Sequence, residues 1–311
     1  MLLYMLSRIF RAMVTVVLIV TLAFVILRMT GDPSVIILGP DAPPQAYEAF
    51  RRNWGLDQPM IVQYFKYFGA IAEGDLGRSM RDGRPALELV MERVPLTLAL
   101  TLPALLFNLV LGLGAGVIAA LNRNSWLDRA IMTLSVVGFT VPSFVMGLVL
   151  ALVFAVKLKW LPSGGSGTWQ HAILPVVTMG MIGAAVIARF TRSAMLEVLG
   201  QPYIRTASAK GLSWAGVVVR HALPNAAIPT LTIIGFMVGS LVAGAVVVES
   251  IFSWPGVGRL LVGAVANRDL AVVQTILILI GFTMVFANLM VDLAYGWIDP
   301  RLRVRNLSTA K

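Results

Sequence analysis

The sequence predicts an all-α protein that crosses a membrane six times. Three observations carry that reading. Of 311 residues, 58% are hydrophobic and only 13% charged, far from the composition of a soluble domain. Six stretches are free of charge and each reaches, or nearly reaches, the ~20 residues that a helix needs to span the hydrocarbon core. Basic residues gather in alternate connections between them. The mean hydropathy of +0.84 agrees. The chain lacks cysteine, so disulfides and thiolate metal sites are excluded. A net charge of +10 would suit nucleic acid, but its distribution argues for membrane orientation instead.

The first apolar run is Ala12 to Leu27, extended by Ile9 and Phe10 and preceded by Arg8 and Arg11, which can snorkel. A signal peptide is the competing reading. Arg28 follows directly and no small-residue cleavage site is evident, so residues 1–28 read as a short N-terminus and a retained first helix. Residues 29–93 form the longest polar region, broken by Pro33, Pro40, Pro43 and Pro44. Two pieces of it look helical, Gln45 to Asn53 and Gln58 to Ala72. The second carries Ile61, Tyr64, Phe65 and Phe68 at helical spacing, which suits a membrane surface or the flank of a bundle.

Five further stretches complete the core over 94–298: Val94–Asn122, Ala130–Val156, His171–Ala188, Ala222–Val248 and Leu270–Val291. Gly112, Gly114 and Gly116 in the second span, and Gly235, Gly239 and Gly244 in the fifth, suit close helix approach. Pro103, Pro142 and Pro175 are expected to kink their helices or mark interrupted starts. Lys157–Thr168 and Ile251–Asp269 read as short loops, and 299–311 as a tail.

Six spans place both termini on one side. That side collects thirteen basic residues, Arg8 and Arg11 through Arg305 and Lys311, against Asp128, Glu197 and Asp299. By the positive-inside rule it is cytoplasmic, and 29–93 is extracytoplasmic.

Tyr203 to Pro229 is a polar, basic island on the cytoplasmic side, within a loop spanning 193–224. It has room for two short helices, broken at Gly211, with Ser213 placed to cap the second. A docking surface and a plain solvated loop both fit that spacing. Elsewhere the chemistry is sparse. His171 and His221 have no metal spacing, and no P-loop, nucleophile elbow or paired intramembrane carboxylates occur. Four polar residues fall within the spans: Asn108, Glu249, Asn288 and Asp292. The asparagines read as interhelical hydrogen-bond partners, and the acids as pairing or capping groups near the span ends. A secondary transporter would want interrupted helices in two repeated halves, and none is evident. An enzyme would want a catalytic constellation, which is missing.

The island resembles the cytoplasmic loop of importer-type ABC permeases, whose pattern is EAA, three residues, G, nine residues, I-x-L-P. Gly211 is followed at the right interval by His221-Ala222-Leu223-Pro224, and Ala207 holds the last alanine position. Arg205 replaces the acid and His221 the isoleucine, as in the dipeptide/oligopeptide subfamily, where RTAxAKG and RHALPN are usual. Gly55–Pro59, Gly74–Ser79, Leu161–Gly165, Glu249–Gly258, Asn288–Asp292 and Asp299–Arg301 match that subfamily in order. The likeness covers nearly the whole chain and is nearest to the B-type membrane subunit, with its long outer loop after helix one.

The resemblance implies a type I ABC importer transmembrane domain that supplies half a pore in the inner membrane. Its partners would be a second homologous permease, two ABC ATPases that carry the ATP and Mg, and an extracytoplasmic substrate-binding protein. No cofactor, metal or catalytic residue is implied in this chain. The ATPase-coupling residues would be Tyr203, Arg205, Thr206, Ala207, Ala209, Lys210, Gly211, Leu212, His221, Leu223 and Pro224. Ala207 and Ala209 would keep one face small for close docking. Binding-protein docking would fall to Asp57, Asp75, Arg78, Phe252, Ser253, Trp254, Pro255 and Gly256. The expected cargo is a dipeptide or oligopeptide, with nickel, glutathione or another small solute as the alternative.

Overall fold

Inside a hydrocarbon layer a backbone can satisfy its polar groups only within itself, so long apolar runs fold as helices. The computed structural model describes residues 2–29 and 31–298, with side chains for 10–11, 13–29, 31–240 and 242–290. Every regular element among them is helical, apart from an isolated antiparallel bridge between Arg78 and Pro85. The tail 299–311 and the side chains of Arg8 and Asp292 lie outside the described residues.

The elements are α1 (Leu2–Met29), α2 (Pro33–Leu38), α3 (Pro44–Asn53), α4 (Met60–Ala72), α5 (Ala86–Leu121), α6 (Trp126–Thr140) and α7 (Ser143–Leu150). After them come α8 (Gln170–Leu199), α9 (Pro202–Ala209), α10 (Trp214–Val217), α11 (Leu223–Gly239), α12 (Leu241–Ile251), α13 (Val257–Ala266) and α14 (Leu270–Ile298). Four helical segments are long and apolar enough to cross a membrane: Ala86–Leu121, Gln170–Leu199, Trp214–Gly239 and Leu270–Met290. A fifth is the pair Trp126–Thr140 and Ser143–Lys157, bent by 104°. The described apolar part of α1 is Met13–Met29, within a helix of 28 residues.

The chain divides into two compact units, Met1–Leu98 with Ser253–Thr283, and Ala99–Phe252 with Met284–Lys311. In the first, α4 packs on α1 as its periodicity predicts. The Phe24 ring meets Tyr64 edge-on at 5.6 Å and stacks on Tyr67 at 6.4 Å, and the hydroxyls of Thr21 and Tyr64 lie 2.9 Å apart. Ile61 and Phe65 stay exposed on the far face. Asp32 caps α2 by accepting from the Ser34 N–H, with Pro33 in the first turn, where its missing N–H costs nothing. The turn after α12 closes on the start of α5. Trp254 Nε1–H donates to the Leu96 carbonyl at 2.9 Å, and the Val257 N–H donates to Thr97 Oγ1 at 2.8 Å.

In the second unit α8 is the hub, packed against α6, α7, α11 and α12. Small residues let α5 join it. A Cβ on Gly112 would sit 2.7 Å from Ile187 Cβ, and one on Gly116 would sit 2.6 Å from Thr191 Cβ. Only glycine permits that backbone separation. From the other side, Gly180 and Gly183 of α8 receive Phe107 and the side chain of Asn108.

Several expectations are corrected. Gly114 and Gly244 face open space within this chain, so only part of each glycine series brings helices together. Pro103 and Pro175 lie inside continuous helices and mark no interrupted start. Pro142 does mark a sharp bend, because it drives Val141 into the extended region at φ −73°, ψ 122°. The stretch Ala222–Val248 is interrupted at Ser240, next to Gly239, a pairing that weakens the helical ladder. Ile251–Asp269 is no mere loop: it contains α13.

Candidate functional site: the loop between α8 and α11

The island folds as two short helices, as its spacing suggests. Pro202 starts α9, and the N–H groups of Lys210 and Gly211 close its end on the Thr206 and Ser208 carbonyls, at 3.1 and 3.0 Å. Gly211 then turns the chain at φ +81°, a conformation that L side chains rarely adopt. Ser213 caps α10 by accepting from the Gly216 N–H at 3.2 Å. The second helix is not a separate piece. It runs through a π-helical turn, Val218–Ala222, directly into α11. Pro224 has no N–H for the carbonyl of Arg220 four residues back, and the widened turn sits at that defect.

One face of this loop is buried. Ile204, Ala207, Val217, Val218, Ala222 and Ala226 form a cluster with Ala120 at the end of α5 and with Ala194 and Met195 of α8. Leu212 and Leu223 pack against its edge. The other face is open. Tyr203, Arg205, Thr206, Ala209, Lys210 and Pro224 are exposed, and His221 is half-buried. Ala207 is therefore small for the sake of the chain's own core, not for an outside surface, and the small-face expectation holds in space only for Ala209. Trp214, 56% exposed at the start of α10, escaped the sequence reading. An aromatic residue within a basic island was the signal.

The same end of α8 carries an ion pair with a buried acid and a half-buried base. Arg192 donates from Nε and Nη2 to the two carboxylate oxygens of Asp128 on α6, at 2.6 and 2.8 Å. Asp128 also accepts from the Asn124 N–H at 2.9 Å, while Ser125 accepts from the Asp128 N–H at 3.2 Å. Ser125 caps α6, and Asp128 reaches back one residue past the cap to Asn124; Ser-x-x-Asp ahead of an apolar run was the legible trace of this helix start. Thr191 against Gly116, Arg192 on Asp128, and Ala194 and Met195 in the loop cluster thus tie α5, α6 and the loop to one and a half turns of α8.

The other named residues scatter. Asp57, Asp75, Arg78 and Ser253 are exposed and Pro255 is half-buried. Phe252 and Trp254, at 0% and 5% exposure, belong to the interior, and Gly256 is buried beside them. Phe252 packs with Leu174 and Val248, and its carbonyl accepts from the Gly165 N–H at 2.8 Å. Asn108 is buried. Oriented to satisfy its neighbours, its amide donates to the carbonyls of Gly180 at 2.5 Å and Ala104 at 3.1 Å, which is the interhelical role expected of it. Glu249 is fully buried, so it does not reach an interface, whereas Asn288 is exposed.

A further acid, Asp269, is buried just before α14. Burial pushes its carboxyl above the usual range, partly offset by hydrogen bonds from the Ser79 hydroxyl and the Met80 N–H. No cluster of three or more candidate metal ligands occurs among the described residues.

Comparison with known proteins agrees with this architecture. Residues 112–304 match the family described as binding-protein-dependent transport system inner membrane component, and residues 1–101 match its N-terminal counterpart. The glutathione transport system permease protein GsiC of Escherichia coli K12 is 42% identical over 306 residues, 98% of this chain and 100% of that one. GsiC of Salmonella paratyphi A matches to the same extent. Among solved structures, the inward-facing methionine ABC transporter MetNI superposes with a TM-score of 0.59 at 22% identity, covering 69% of this chain and 98% of that one. An amino acid ABC transporter with histidines gives 0.51 at 18% identity, covering 66% and 92%. Those likenesses speak to the fold, and the family matches and near-full-length relatives speak to kinship. The chain belongs to the binding-protein-dependent transport system inner membrane component family, as a multi-pass permease subunit of an ABC importer.

Proposed function

We propose that this permease carries short peptides inward, the tripeptide glutathione among them, and that residues 193–224 receive the stroke of an ATPase subunit. The cargo reading rests on one observation: relatives 42% identical over their entire length are glutathione permeases. It is tested by purifying the binding protein that serves this permease and identifying what it retains. A bound peptide or glutathione supports the reading, and a retained nickel ion or sugar overturns it.

The coupling reading rests on the loop's two faces. Its exposed face carries Arg205, Lys210 and Trp214, suited to an acidic and apolar cleft on a partner. Its buried face is continuous with the ends of α5 and α8. The second permease, two ATPases and binding protein would complete the machine, with ATP and Mg held by the ATPases. The loop and both termini lie in the cytoplasm on this reading, and residues 29–93 outside. Cysteine placed at Asp41 should then react with an impermeant thiol reagent in intact cells, and cysteine at Ser308 should not. The reverse pattern would refute the orientation.

A further inference from the structure

The first unit holds a cavity of about 220 Å³ whose walls are left with unmet hydrogen-bonding capacity. Gln274 of α14 is 0% exposed, and neither its amide nitrogen nor its amide oxygen has a partner. Four more buried polar atoms on the same walls share that condition: Arg28 Nε, Gln58 Oε1, Gln63 Oε1 and the Tyr67 hydroxyl. Buried polar groups are ordinarily satisfied, so five such residues around one cavity point to something that fills it.

The chemistry of the walls narrows what fits. Gln63 donates its amide N–H to the Gln58 carbonyl at 2.7 Å, which fixes its buried oxygen as an acceptor. Acceptors from Gln58, Gln63 and Gln274 call for a ligand with N–H groups. Arg28, Lys66 and Arg78 supply three cations to the lining, which contains no acid. Asp32 acts on Arg28 from outside the lining, and it is itself held by Arg51 at 2.5 Å. Water could answer the amides and the exposed Lys66 and Arg78, whereas the half-buried Arg28 favours an anionic group. Phe24 and Tyr67 supply an apolar wall, with the Arg28 guanidinium 5.6 Å over the Phe24 ring. The volume holds roughly seven waters at about 30 Å³ each, comparable to a dipeptide.

We infer that this cavity binds the carboxyl end of an amino acid or short peptide. The carboxylate lies toward Arg28, Lys66 and Arg78, and the amide or ammonium hydrogens meet the glutamine oxygens. The inference stands on the cavity alone and is independent of what the complex carries.

The test is calorimetric titration of alanyl-alanine into the permease purified with its partner subunits and without binding protein. Saturable binding is expected for the native complex. At least a tenfold loss is expected for alanyl-alanine amide, which lacks the carboxylate, and for Gln274→Leu. Tyr67→Phe, which removes one orphan hydroxyl and leaves the ring stack, should weaken binding severalfold and serves if Gln274→Leu fails to fold. The inference is overturned if the native complex takes up no alanyl-alanine, in which case the cavity holds water only. Equal affinity for the amide, or unchanged affinity in both variants, overturns it too, because binding then lies elsewhere.

Discussion

Gly211 offers the sharpest test of the loop, because its environment separates backbone strain from bulk. Its φ is +81°, and a Cβ built on it meets nothing within 4 Å. The cost of substitution within this chain is therefore conformational. A residue with a Cβ pays about 1–2 kcal/mol in the left-handed region, asparagine pays least, and a β-branched residue approaches ~3 kcal/mol. At about 1.4 kcal/mol per factor of ten, Gly211→Val depletes the native loop shape roughly a hundredfold, and Gly211→Ala about tenfold. The order of damage should be Asn, then Ala, then Val, although asparagine and valine differ little in size. The assay is substrate molecules imported per ATP hydrolysed in proteoliposomes, with insertion of each variant checked first. Normal coupling in Gly211→Val would refute the argument. Equal damage from Asn and Val with little from Ala would refute it differently, by showing that a partner's surface reads volume at this position.

Four further outcomes follow from packing and charge. Gly116→Ala should cost about 1–3 kcal/mol of stability, because its Cβ would lie 2.7 Å from the Ala188 carbonyl oxygen, which is backbone and cannot swing away. Gly114→Ala, on the open face of α5, should be neutral or gain up to about 1 kcal/mol, and paired thermal melts distinguish the two. Asp128→Asn should destabilise by about 3 kcal/mol, near the low end for a buried pair because the Arg192 side chain keeps 26% exposure; Asp128→Leu with Arg192→Leu should recover much of that loss in the same melt. Asp269 has a raised carboxyl pKa, so the folded state holds its proton more tightly than the unfolded chain; its contribution is full below the unfolded pKa of about 4 and is lost as pH rises through the folded value. Asp269→Asn should flatten that part of a Tm-against-pH curve above about pH 4, and an unchanged slope would show that Asp269 ionises without cost.

Helix positions were legible wherever one physical cause dominated. Apolar length against membrane thickness located four long apolar helices and the bent pair, and turn residues bounded α3 and α4 to within two residues. Bends were less legible, because a proline states a missing donor without saying what compensates it. Pro103 and Pro175 sit in continuous helices, while Pro142 sits at a 104° bend after an extended Val141. The break at Gly239–Ser240 and the helix α13 were missed for a related reason. Short apolar segments owe their state to tertiary packing more than to propensity, and packing is not written in a ten-residue window.

Within the loop, motif and periodicity marked the right segment but could not sort its residues by what they touch. Ala207 and Gly211 sit four apart in one matching pattern, yet Ala207 is buried in the chain's own core and Gly211 turns the exposed backbone. Trp254 and Ser253 split the same way in the turn after α12. A pattern shared among relatives records both self-packing and partner contact, since losing either ends function. Burial separates them, and the separation has a mechanical consequence. The buried residues join α9 and α10 to Ala120, Ala194 and Met195 in one cluster. Close-packed interiors shift as blocks rather than deform smoothly. On the proposed coupling role, a force on Arg205, Lys210 or Trp214 would move the ends of α5 and α8 together with the loop. Because Arg192 holds Asp128, α6 would be carried along.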